Sequence, residues 1–422
     1  MPMPVIELRE VSRPYDDGPA RPERRTDEPV NPALFRRGLT VATALLTLAV
    51  GLGGPPAAAA DGPGGAPYLP RPTGPRAVGT TSLHVTDNSR PDPWASGVDA
   101  RELMVSLWYP TASPGGRRAQ YMTPRESELL LEEGGITGVP SDVLSTTRTN
   151  AFADARPAGH TRSLPLVVLS PGFTKPRTTL TSLAEDLASH GYAVAAIDHT
   201  YESVATTFPD GRVATCAACE VPHDEAFWNR LVTSRAADVS FVLSELTAAH
   251  AKWDGSRLID PSRIAMAGHS VGGAAAVTSM VTDPRVRAGI DIDGTTQVPI
   301  PDSGLSRPFL FLGRQSQYSP GSGGGAAATW ERDWQRLTGW KRWLVVEGAE
   351  HASFTDVGLL AEQLGIDIGA DLPAARASEI TRRYTRAFLD LHLRHRPQPL
   401  LNKRSTRYPQ VKFCAPKTGA CV

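Results

Sequence analysis

The amino-acid sequence predicts an α/β fold whose mostly parallel central sheet is covered by helices on both faces. Short apolar runs, such as 164–169, 192–197 and 286–292, alternate along the chain with segments of helical periodicity. Strands that are apolar on both faces are typical of a parallel sheet buried between two helical layers. Several of these runs end at a turn that contains glycine, serine or aspartate, which is where open α/β sheets carry their functional sites.

The predicted elements follow in a regular order from residue 101 onward. Residues 101–109 alternate between polar and apolar side chains and meet Pro110, which is typical of an antiparallel edge strand. Residues 111–163 are loop-rich, with one short helix near Glu126–Glu132. Further strands are predicted at 164–169, 192–197, 263–267, 286–292, 308–312 and 341–346. Further helices are predicted at 178–190, 223–250, 330–337 and 380–395, with a flexible Gly/Ala loop at 321–328.

The composition favours an ordinary globular enzyme without a nucleic-acid partner. Apolar residues make up 41% of the 422 residues and charged residues 21%, which suits one large α/β core. Lys and Arg together number 44, as do Asp and Glu, so the net charge is zero. Because such a balance provides no field that attracts a polyanion, it fits a neutral or zwitterionic substrate better.

The first 60 residues are predicted to be a signal peptide. Arg36 and Arg37 precede the apolar run 41–52, and small residues up to Ala60 precede Asp61. This arrangement is typical of export, and the paired arginines favour the twin-arginine route. An N-terminal membrane anchor is the alternative, but the apolar stretch of roughly 14–16 residues is shorter than the ~20 that a bilayer requires. We therefore expect a secreted protein without a stable membrane span after cleavage.

Three further segments are expected beyond the signal peptide. Residues 61–100 begin with a Gly/Pro-rich stretch and are predicted to be a flexible lead-in. Residues 101–396 form the predicted catalytic domain, and 397–422 are predicted to be an irregular tail.

The four cysteines suggest disulfide bonds. They are Cys216, Cys219, Cys414 and Cys421, and an even number in an exported protein favours pairing. The simplest pairing is local, Cys216 with Cys219 and Cys414 with Cys421, although spacing alone leaves cross-pairing open. A redox pair at 216–219 is less favoured because that motif lies in a Pro/Gly-rich loop. No further Cys or His lies at the spacing typical of metal ligands, so the sequence predicts no metal site.

The motif Gly-His-Ser-Val-Gly at 268–272 indicates a nucleophilic serine. It follows an apolar strand and precedes a helix rich in small residues. In this context a sharp strand-to-helix turn exposes the serine hydroxyl, and the flanking glycines allow the turn to close. Ser270 is therefore the predicted nucleophile.

A serine hydroxyl needs a base and an orienting carboxylate. His351 is the predicted base because it lies on a loop after the strand 341–346. Asp293 is the predicted carboxylate because it stands at the tip of the strand 286–292. Asp291, about 6–7 Å deeper by strand rise, is the second candidate, and Asp302 is the third.

The oxyanion of an acyl-transfer reaction needs two preorganised backbone donors. The N–H of Val271, directly after the nucleophile, is one predicted donor. The other should come from the loop after the strand 164–169. Because Pro171 has no N–H, Gly172 or Phe173 must donate, and we choose Phe173.

These motifs together resemble those of the plasma and type II platelet-activating factor acetylhydrolases, which have the α/β-hydrolase fold. The resemblance runs from about Arg101 to His395. It is carried by the segments 164–173 and 186–199, by the Gly-His-Ser-Val-Gly-Gly elbow and by the histidine loop 348–356. Asp293 follows Ser270 by 23 residues, as in this family, whereas bacterial cutinases and polyester hydrolases place the acid one strand later.

The resemblance implies the triad Ser270, Asp293 and His351, with Phe173 and Val271 as oxyanion donors. This sequence departs from the family at Pro171, where the family often has histidine, and at the insertions around 216–219 and 321–325. Those departures concern the choice of substrate and leave the predicted chemistry unchanged.

The predicted activity is carboxylic ester hydrolysis through an acyl-serine intermediate, without metal or organic cofactor. The expected substrates are short-acyl phospholipids or other small esters. A lipase or cutinase-like polyester esterase is the nearest alternative, and a non-catalytic binding protein on a hydrolase fold is the alternative of a different class. No feature selects an amidase or peptidase.

Overall fold

A sheet of twelve strands runs through the described part of the protein, residues 65–248 and 250–422 of this computed structural model. The predicted signal peptide at 1–60 lies outside the described residues. The strands are β1 (Ala77–Asp87), β2 (Arg101–Thr111), β3 (Arg118–Gln120), β4 (Arg148–Ala153), β5 (Leu164–Ser170), β6 (Ala193–Asp198), β7 (Thr206–Thr207), β8 (Val213–Ala214), β9 (Ile259–His269), β10 (Val286–Ile292), β11 (Phe309–Arg314), β12 (Lys341–Val346), β13 (Val411–Ala415) and β14 (Ala420–Cys421). Their order in the sheet is β14-β13-β12-β11-β10-β9-β5-β6-β2-β1-β4-β3, and β7 and β8 form a separate hairpin.

The six central strands, β6-β5-β9-β10-β11-β12, are mutually parallel. Successive residues of β5 point to opposite apolar layers, with Leu166 and Val168 in one and Val167 and Leu169 in the other. This burial on both faces explains why the central strands are continuous apolar runs in the sequence. The predicted α/β fold is confirmed.

The helices cover both faces of this sheet. They are α1 (Pro124–Glu133), α2 (Thr181–Ser189), α3 (Glu225–Thr247), α4 (Val271–Thr282), α5 (Gln315–Tyr318), α6 (Gly325–Arg336), α7 (Asp356–Gln363) and α8 (Ala374–Arg394). Side chains of α3, α4 and α6 lie in one apolar layer, and those of α2 and α8 lie in the other. Polar side chains fix two of the helix starts. Thr123 and Glu126 form a reciprocal capping box at α1, and Asp224 accepts a hydrogen bond from Phe227 N at α3 (2.8 Å).

The predicted flexible lead-in at 61–100 is wrong over residues 77–87. These residues form β1, which pairs with β2 from Ala77↔Thr111 to Asp87↔Arg101. Consequently β2 lies between β1 and β6 and is not the edge strand that the alternation at 101–109 predicted. The sheet therefore begins before the predicted domain boundary at residue 101.

The tail at 397–422 also contributes to the sheet, against the prediction of an irregular segment. β13 pairs antiparallel with β12, with Val346 opposite Val411 and Leu344 opposite Phe413. Val411 is buried with the α8 layer, so the end of the chain helps to close the core. A second difference concerns the predicted flexible loop at 321–328, because α6 already begins at Gly325.

Both disulfide bonds follow the local pairing, Cys216 with Cys219 and Cys414 with Cys421. The second bond joins β13 to β14 at the edge of the sheet. Among the described residues, no helix combines the length and the apolar character that crossing a bilayer requires.

Candidate active site

The turn between β9 and α4 holds Ser270 in an uncommon backbone conformation. Its φ is 57° and its ψ is −129°, a region that residues with side chains seldom adopt. The Ser270 N–H donates to the Ile292 carbonyl (2.8 Å), and the Gly273 N–H donates to the Ser270 carbonyl (2.8 Å). The Ser270 side chain is partly exposed. The turn therefore presents a hydroxyl to solvent on a rigid backbone.

Two glycines of this turn are required by close backbone packing. A Cβ atom added to Gly268 would lie 2.1 Å from the carbonyl carbon of Gly272. One added to Gly272 would lie 2.1 Å from the Ser170 carbonyl oxygen. Because neither space admits a side chain, another residue at 268 would open the elbow, and another residue at 272 would push it away from the end of β5.

His351 and Asp293 form a hydrogen-bonded pair. His351 opens a 3-10 turn after β12, and Asp293 directly follows β10. The Nδ1 atom of His351 lies 2.5 Å from Oδ2 of Asp293. Asp293 is fully buried, whereas 36% of the His351 side chain is exposed. The imidazole is thus held by a carboxylate on one side and accessible to a substrate on the other.

Arg314, at the end of β11, lies beside the Asp293 carboxylate. Its N–H donates to Asp293 Oδ1 (2.6 Å), and its Nε is 3.7 Å from Oδ2. Burial raises the pKa of Asp293, but the hydrogen bond to His351 and the neighbouring charges outweigh burial and keep this pKa below its ordinary value. Asp293 is therefore ionised at neutral pH. Since a carboxylate only accepts, Nδ1 of His351 carries the proton and Nε2 is the basic nitrogen.

The two other candidate carboxylates lie elsewhere. Asp291 is fully buried beneath the elbow, where its Oδ1 would lie 2.0 Å from a Cβ added to Gly273. Burial raises the pKa of Asp291 well above its ordinary value. Asp302 is exposed and forms an ion pair with Arg336 (2.7 Å). Of the three carboxylates, Asp293 is the one that the structure brings to His351.

The loop after β5 lies against the elbow, where the second oxyanion donor was expected. A Cβ added to Gly172 would be 3.4 Å from the Ser270 Cβ, so the loop passes directly beside the nucleophile. Phe173 follows in this loop, and Val271 is the first residue of α4. Val271 therefore follows Ser270 directly along the chain, and Phe173 belongs to the loop that packs against the elbow.

An aromatic cluster borders the loop at Phe173. Its ring lies 5.2 Å from that of His223, 5.6 Å from Phe227 and 5.5 Å from Trp228, measured between ring centroids. Phe173, His223 and Trp228 are partly exposed. The aromatic surface at Phe173 thus extends onto the start of α3.

His269, the residue before Ser270, contacts the His351–Asp293 pair. Its Nε2 lies 2.9 Å from the His351 carbonyl oxygen, and the two rings lie 4.5 Å apart. Because a carbonyl only accepts, Nε2 of His269 carries the proton. Its position next to Ser270 was the sequence signal for a role at the site. Arg314 gave a weaker signal, as a charged residue at the end of an apolar strand.

His269, Asp293 and His351 are also the described residues whose side chains could together hold a metal ion. Their possible ligand atoms lie within 4.8 Å of one another. Two of these atoms already bind each other, because His351 Nδ1 donates to Asp293. His269 Nε2 is occupied by the His351 carbonyl. The three residues therefore already form a hydrogen-bonded arrangement without a metal ion.

The buried His269 predicts that the protein loses stability on acidification. Burial, then the nearby His351, lowers the pKa of His269 to about 3, against 6.5 for an unperturbed side chain. Below pH 6.5 His269 binds a proton in the unfolded chain but not in the folded protein, so the free energy of unfolding decreases as the pH falls. His269→Gln keeps a donor near the His351 carbonyl and removes this titration. Between pH 7 and pH 5, the free energy of unfolding of wild type should therefore fall by about 2 kcal/mol more than that of the variant.

Urea unfolding at pH 7, 6 and 5 measures this difference. His160→Gln, at an exposed site, controls for the loss of an imidazole as such. Equal pH slopes for wild type and His269→Gln would show that His269 titrates as freely in the folded protein as in the unfolded chain.

A family model matches most of the chain. The model described as platelet-activating factor acetylhydrolase, isoform II, matches residues 67–232 and 251–398. The chain belongs to this family. The resemblance inferred from the motifs is confirmed, and the protein is a carboxylic ester hydrolase.

Named relatives agree with this acetylhydrolase family. A protein of Arthroderma benhamiae, "Probable 1-alkyl-2-acetylglycerophosphocholine esterase", is 28% identical over 381 residues, covering 82% of this chain and 93% of its own length. The platelet-activating factor acetylhydrolase of Canis lupus familiaris is 27% identical over 259 residues, covering 54% of this chain and 57% of its own. The solved structure of a ferulic acid esterase from Streptomyces cinnamoneus is 42% identical, with a TM-score of 0.73, and covers 83% of this chain and all of that one.

Proposed function

We propose that this acetylhydrolase-family protein hydrolyses small carboxylic esters through an acyl-Ser270 intermediate. The observation that carries the proposal is the His351–Asp293 pair, with its bond of 2.5 Å, next to a strained and partly exposed serine. His269 connects the two parts, because it precedes Ser270 and donates to the His351 carbonyl.

The roles follow from the proton positions. Nε2 of His351 takes the proton of Ser270 as its Oγ attacks the ester carbonyl carbon. The N–H groups of Phe173 and Val271 stabilise the resulting oxyanion. His351 returns the proton to the leaving alcohol, and a water molecule activated by the same nitrogen then releases the acid. Asp293 holds the imidazole and stabilises its cationic form.

The proposed substrates are esters with a short acyl group, of the kind carried by 2-acetylated glycerophospholipids. The name of the Arthroderma benhamiae relative, which matches most of this chain, supports this class. The balanced net charge of the chain also suits a zwitterionic lipid.

Hydroxycinnamic esters are a second candidate class. The aromatic cluster of Phe173, His223, Phe227 and Trp228 borders the loop of the proposed oxyanion hole. Stacking on such rings favours a planar aromatic acyl group by about 1 kcal/mol. The Streptomyces cinnamoneus ferulic acid esterase, 42% identical, supports this candidate.

A panel of esters tests the proposal and separates the two classes. The purified protein is assayed with a 2-acetyl glycerophosphocholine, p-nitrophenyl acetate, methyl ferulate, a long-chain triglyceride and polyester film. We expect kcat/KM to be highest for the acetyl esters. If the aromatic cluster binds the acyl group, the kcat/KM of methyl ferulate should instead exceed that of its ring-saturated analogue by about fivefold. Preference for the triglyceride or the film would favour a lipase or cutinase, and no turnover above that of Ser270→Ala would refute an esterase.

Export of the protein is part of the proposal. Two disulfide bonds, each joining cysteines close in sequence, support an oxidising compartment. Fractionation of producing cells, with N-terminal sequencing of the mature chain, tests both secretion and the expected cleavage between Ala60 and Asp61.

A further inference from the structure

A second serine–histidine–aspartate arrangement lies buried behind the loop of the proposed oxyanion hole. Ser170, the last residue of β5, places its Oγ 2.9 Å from Nε2 of His199, which directly follows β6. Nδ1 of His199 lies 2.7 Å from Oδ2 of Asp238 on α3. At most 2% of any of the three is exposed. The Ser170 hydroxyl therefore has no access to a substrate.

Arg235 connects these buried residues to the backbone of the loop. It stands one helical turn before Asp238 on α3, so both side chains leave the same face of the helix. Its Nη1 donates to the Pro171 carbonyl and to Ser170 Oγ (3.2 Å), and its Nε donates to Glu202 (2.7 Å). Pro171 has no N–H, so its carbonyl is the hydrogen-bonding group by which the rest of the protein can hold this residue.

Paired charges surround the arrangement on its other side. Arg101 donates to both carboxylate oxygens of Asp238, at 3.1 Å and 2.9 Å. Arg101 also binds Asp92 (2.7 Å), and both residues are buried. Buried charges are retained at tolerable cost only when they are paired and hydrogen-bonded. Each charged side chain here is thus held in one orientation by its ion-pair partner.

The proton positions follow from these charges. Asp238 is a carboxylate beside Arg101, so it accepts from His199 Nδ1. Burial, then the charge of Arg235, lowers the pKa of His199, which leaves the ring neutral and Nε2 an acceptor. The Ser170 hydroxyl therefore donates a hydrogen bond to His199 Nε2 and accepts one from Arg235. Because it is engaged both as donor and as acceptor, the hydroxyl is held in one orientation.

We propose that Ser170 is a positioning residue for ester hydrolysis, which through His199 and Arg235 holds the oxyanion loop 171–173 against the elbow. The inference depends on the proposed function, because it concerns the donor assigned to Phe173. Packing makes the loop sensitive to such a restraint, since a Cβ on Gly272 would already lie 2.1 Å from the Ser170 carbonyl oxygen. The next residue of the loop is also held, as Thr174 N–H donates to the Glu202 carbonyl (2.9 Å).

Ser170→Ala removes the hydroxyl and no other atom of this arrangement. We expect kcat for p-nitrophenyl acetate to fall about 10- to 100-fold, because a donor displaced by a fraction of an ångström stabilises the oxyanion poorly. KM should change less than about twofold, since the ground-state carbonyl depends little on these donors.

A pair of inhibitors distinguishes a positioning role of Ser170 from general damage to the active site. A trifluoromethyl ketone forms a bond between its carbonyl carbon and Ser270 Oγ, the serine proton moves to His351, and the oxyanion lies at the two donors. Its affinity should fall by the same factor as kcat/KM. The corresponding alcohol, which cannot form the oxyanion, should bind Ser170→Ala and wild type equally.

Two serines serve as controls. Ser189→Ala removes a buried, hydrogen-bonded hydroxyl from the end of α2, before β6, and should leave kcat and ketone affinity unchanged. Ser270→Ala should abolish activity, and activity in that variant would overturn the proposed function rather than this inference.

Wild-type kcat and ketone affinity in Ser170→Ala, or equal losses for ketone and alcohol, would overturn the positioning role. Mass spectrometry after fluorophosphonate treatment should show modification at Ser270, whereas modification at Ser170 would mean that the hydroxyl is reachable and also contradict it.

Discussion

Replacing Ser270 by alanine is expected to lower kcat for p-nitrophenyl acetate by about 10⁵- to 10⁶-fold. The Oγ atom forms the covalent bond to the acyl group, so its removal leaves only a water molecule to attack the carbonyl. The residual rate then comes from substrate binding and the oxyanion donors. Initial rates measured at high enzyme concentration give kcat, and circular dichroism melting reports whether the fold is intact.

The elbow geometry makes alanine a suitable replacement. Ser270 has a φ of 57°, and alanine at that angle carries the same kind of strain from its Cβ atom. The melting temperature should therefore change little, so a lost rate is a chemical effect. Ser189→Ala is the matched control and should keep full activity. Turnover within tenfold of wild type in Ser270→Ala would place the nucleophile at another residue.

The central sheet could be predicted from the sequence because its strands are buried on both sides. Residues 164–169 are apolar at each position but Pro165, and the structure places them at β5 between two apolar layers. A parallel strand of this kind needs no knowledge of its partners to be recognised. The candidate site was predictable for a related reason. Ser270 and Asp293 stand where such strands end, and open α/β sheets gather these ends at one edge.

The outer strands could not be predicted in the same way. β1 (Ala77–Asp87) follows a Gly/Pro-rich stretch, and many of its residues are only partly buried. Its stability comes from pairing with β2 over the whole of both strands, a contact between segments that the chain does not mark locally. β13 is a similar case, because its partner β12 lies far away in sequence. In both cases tertiary pairing outweighs local composition.

The buried charges behind the oxyanion loop were also missed. Charged side chains are mostly exposed in proteins, so residue type alone does not mark Arg101, Arg235 and Asp238 as buried. The available signal was the spacing on α3, where Arg235 and Asp238 lie among apolar residues that face the sheet. Only the partners, which come from β2 and from the segment after β6, show that these charges are paired.

Exchanging Asp293 for asparagine is expected to lower kcat by about 10⁴-fold. An amide in place of the carboxylate can donate to Nδ1 of His351, which favours the tautomer with the proton on Nε2. That nitrogen can then no longer accept the proton of Ser270. The loss should appear in kcat with little change in KM, because Asp293 is buried and does not contact the substrate.

Asp291→Asn is the matched comparison, two residues away on the same strand. Burial raises the pKa of Asp291 well above its ordinary value, which favours the neutral acid, and asparagine resembles a neutral acid in size and charge. Its kcat should stay within about tenfold of wild type, since no proton of the reaction passes through it. A larger loss at Asp291 than at Asp293 would show that the buried carboxyl beneath the elbow orients His351 during turnover. Equal, small losses would mean that neither carboxyl group is needed to hold the tautomer of His351.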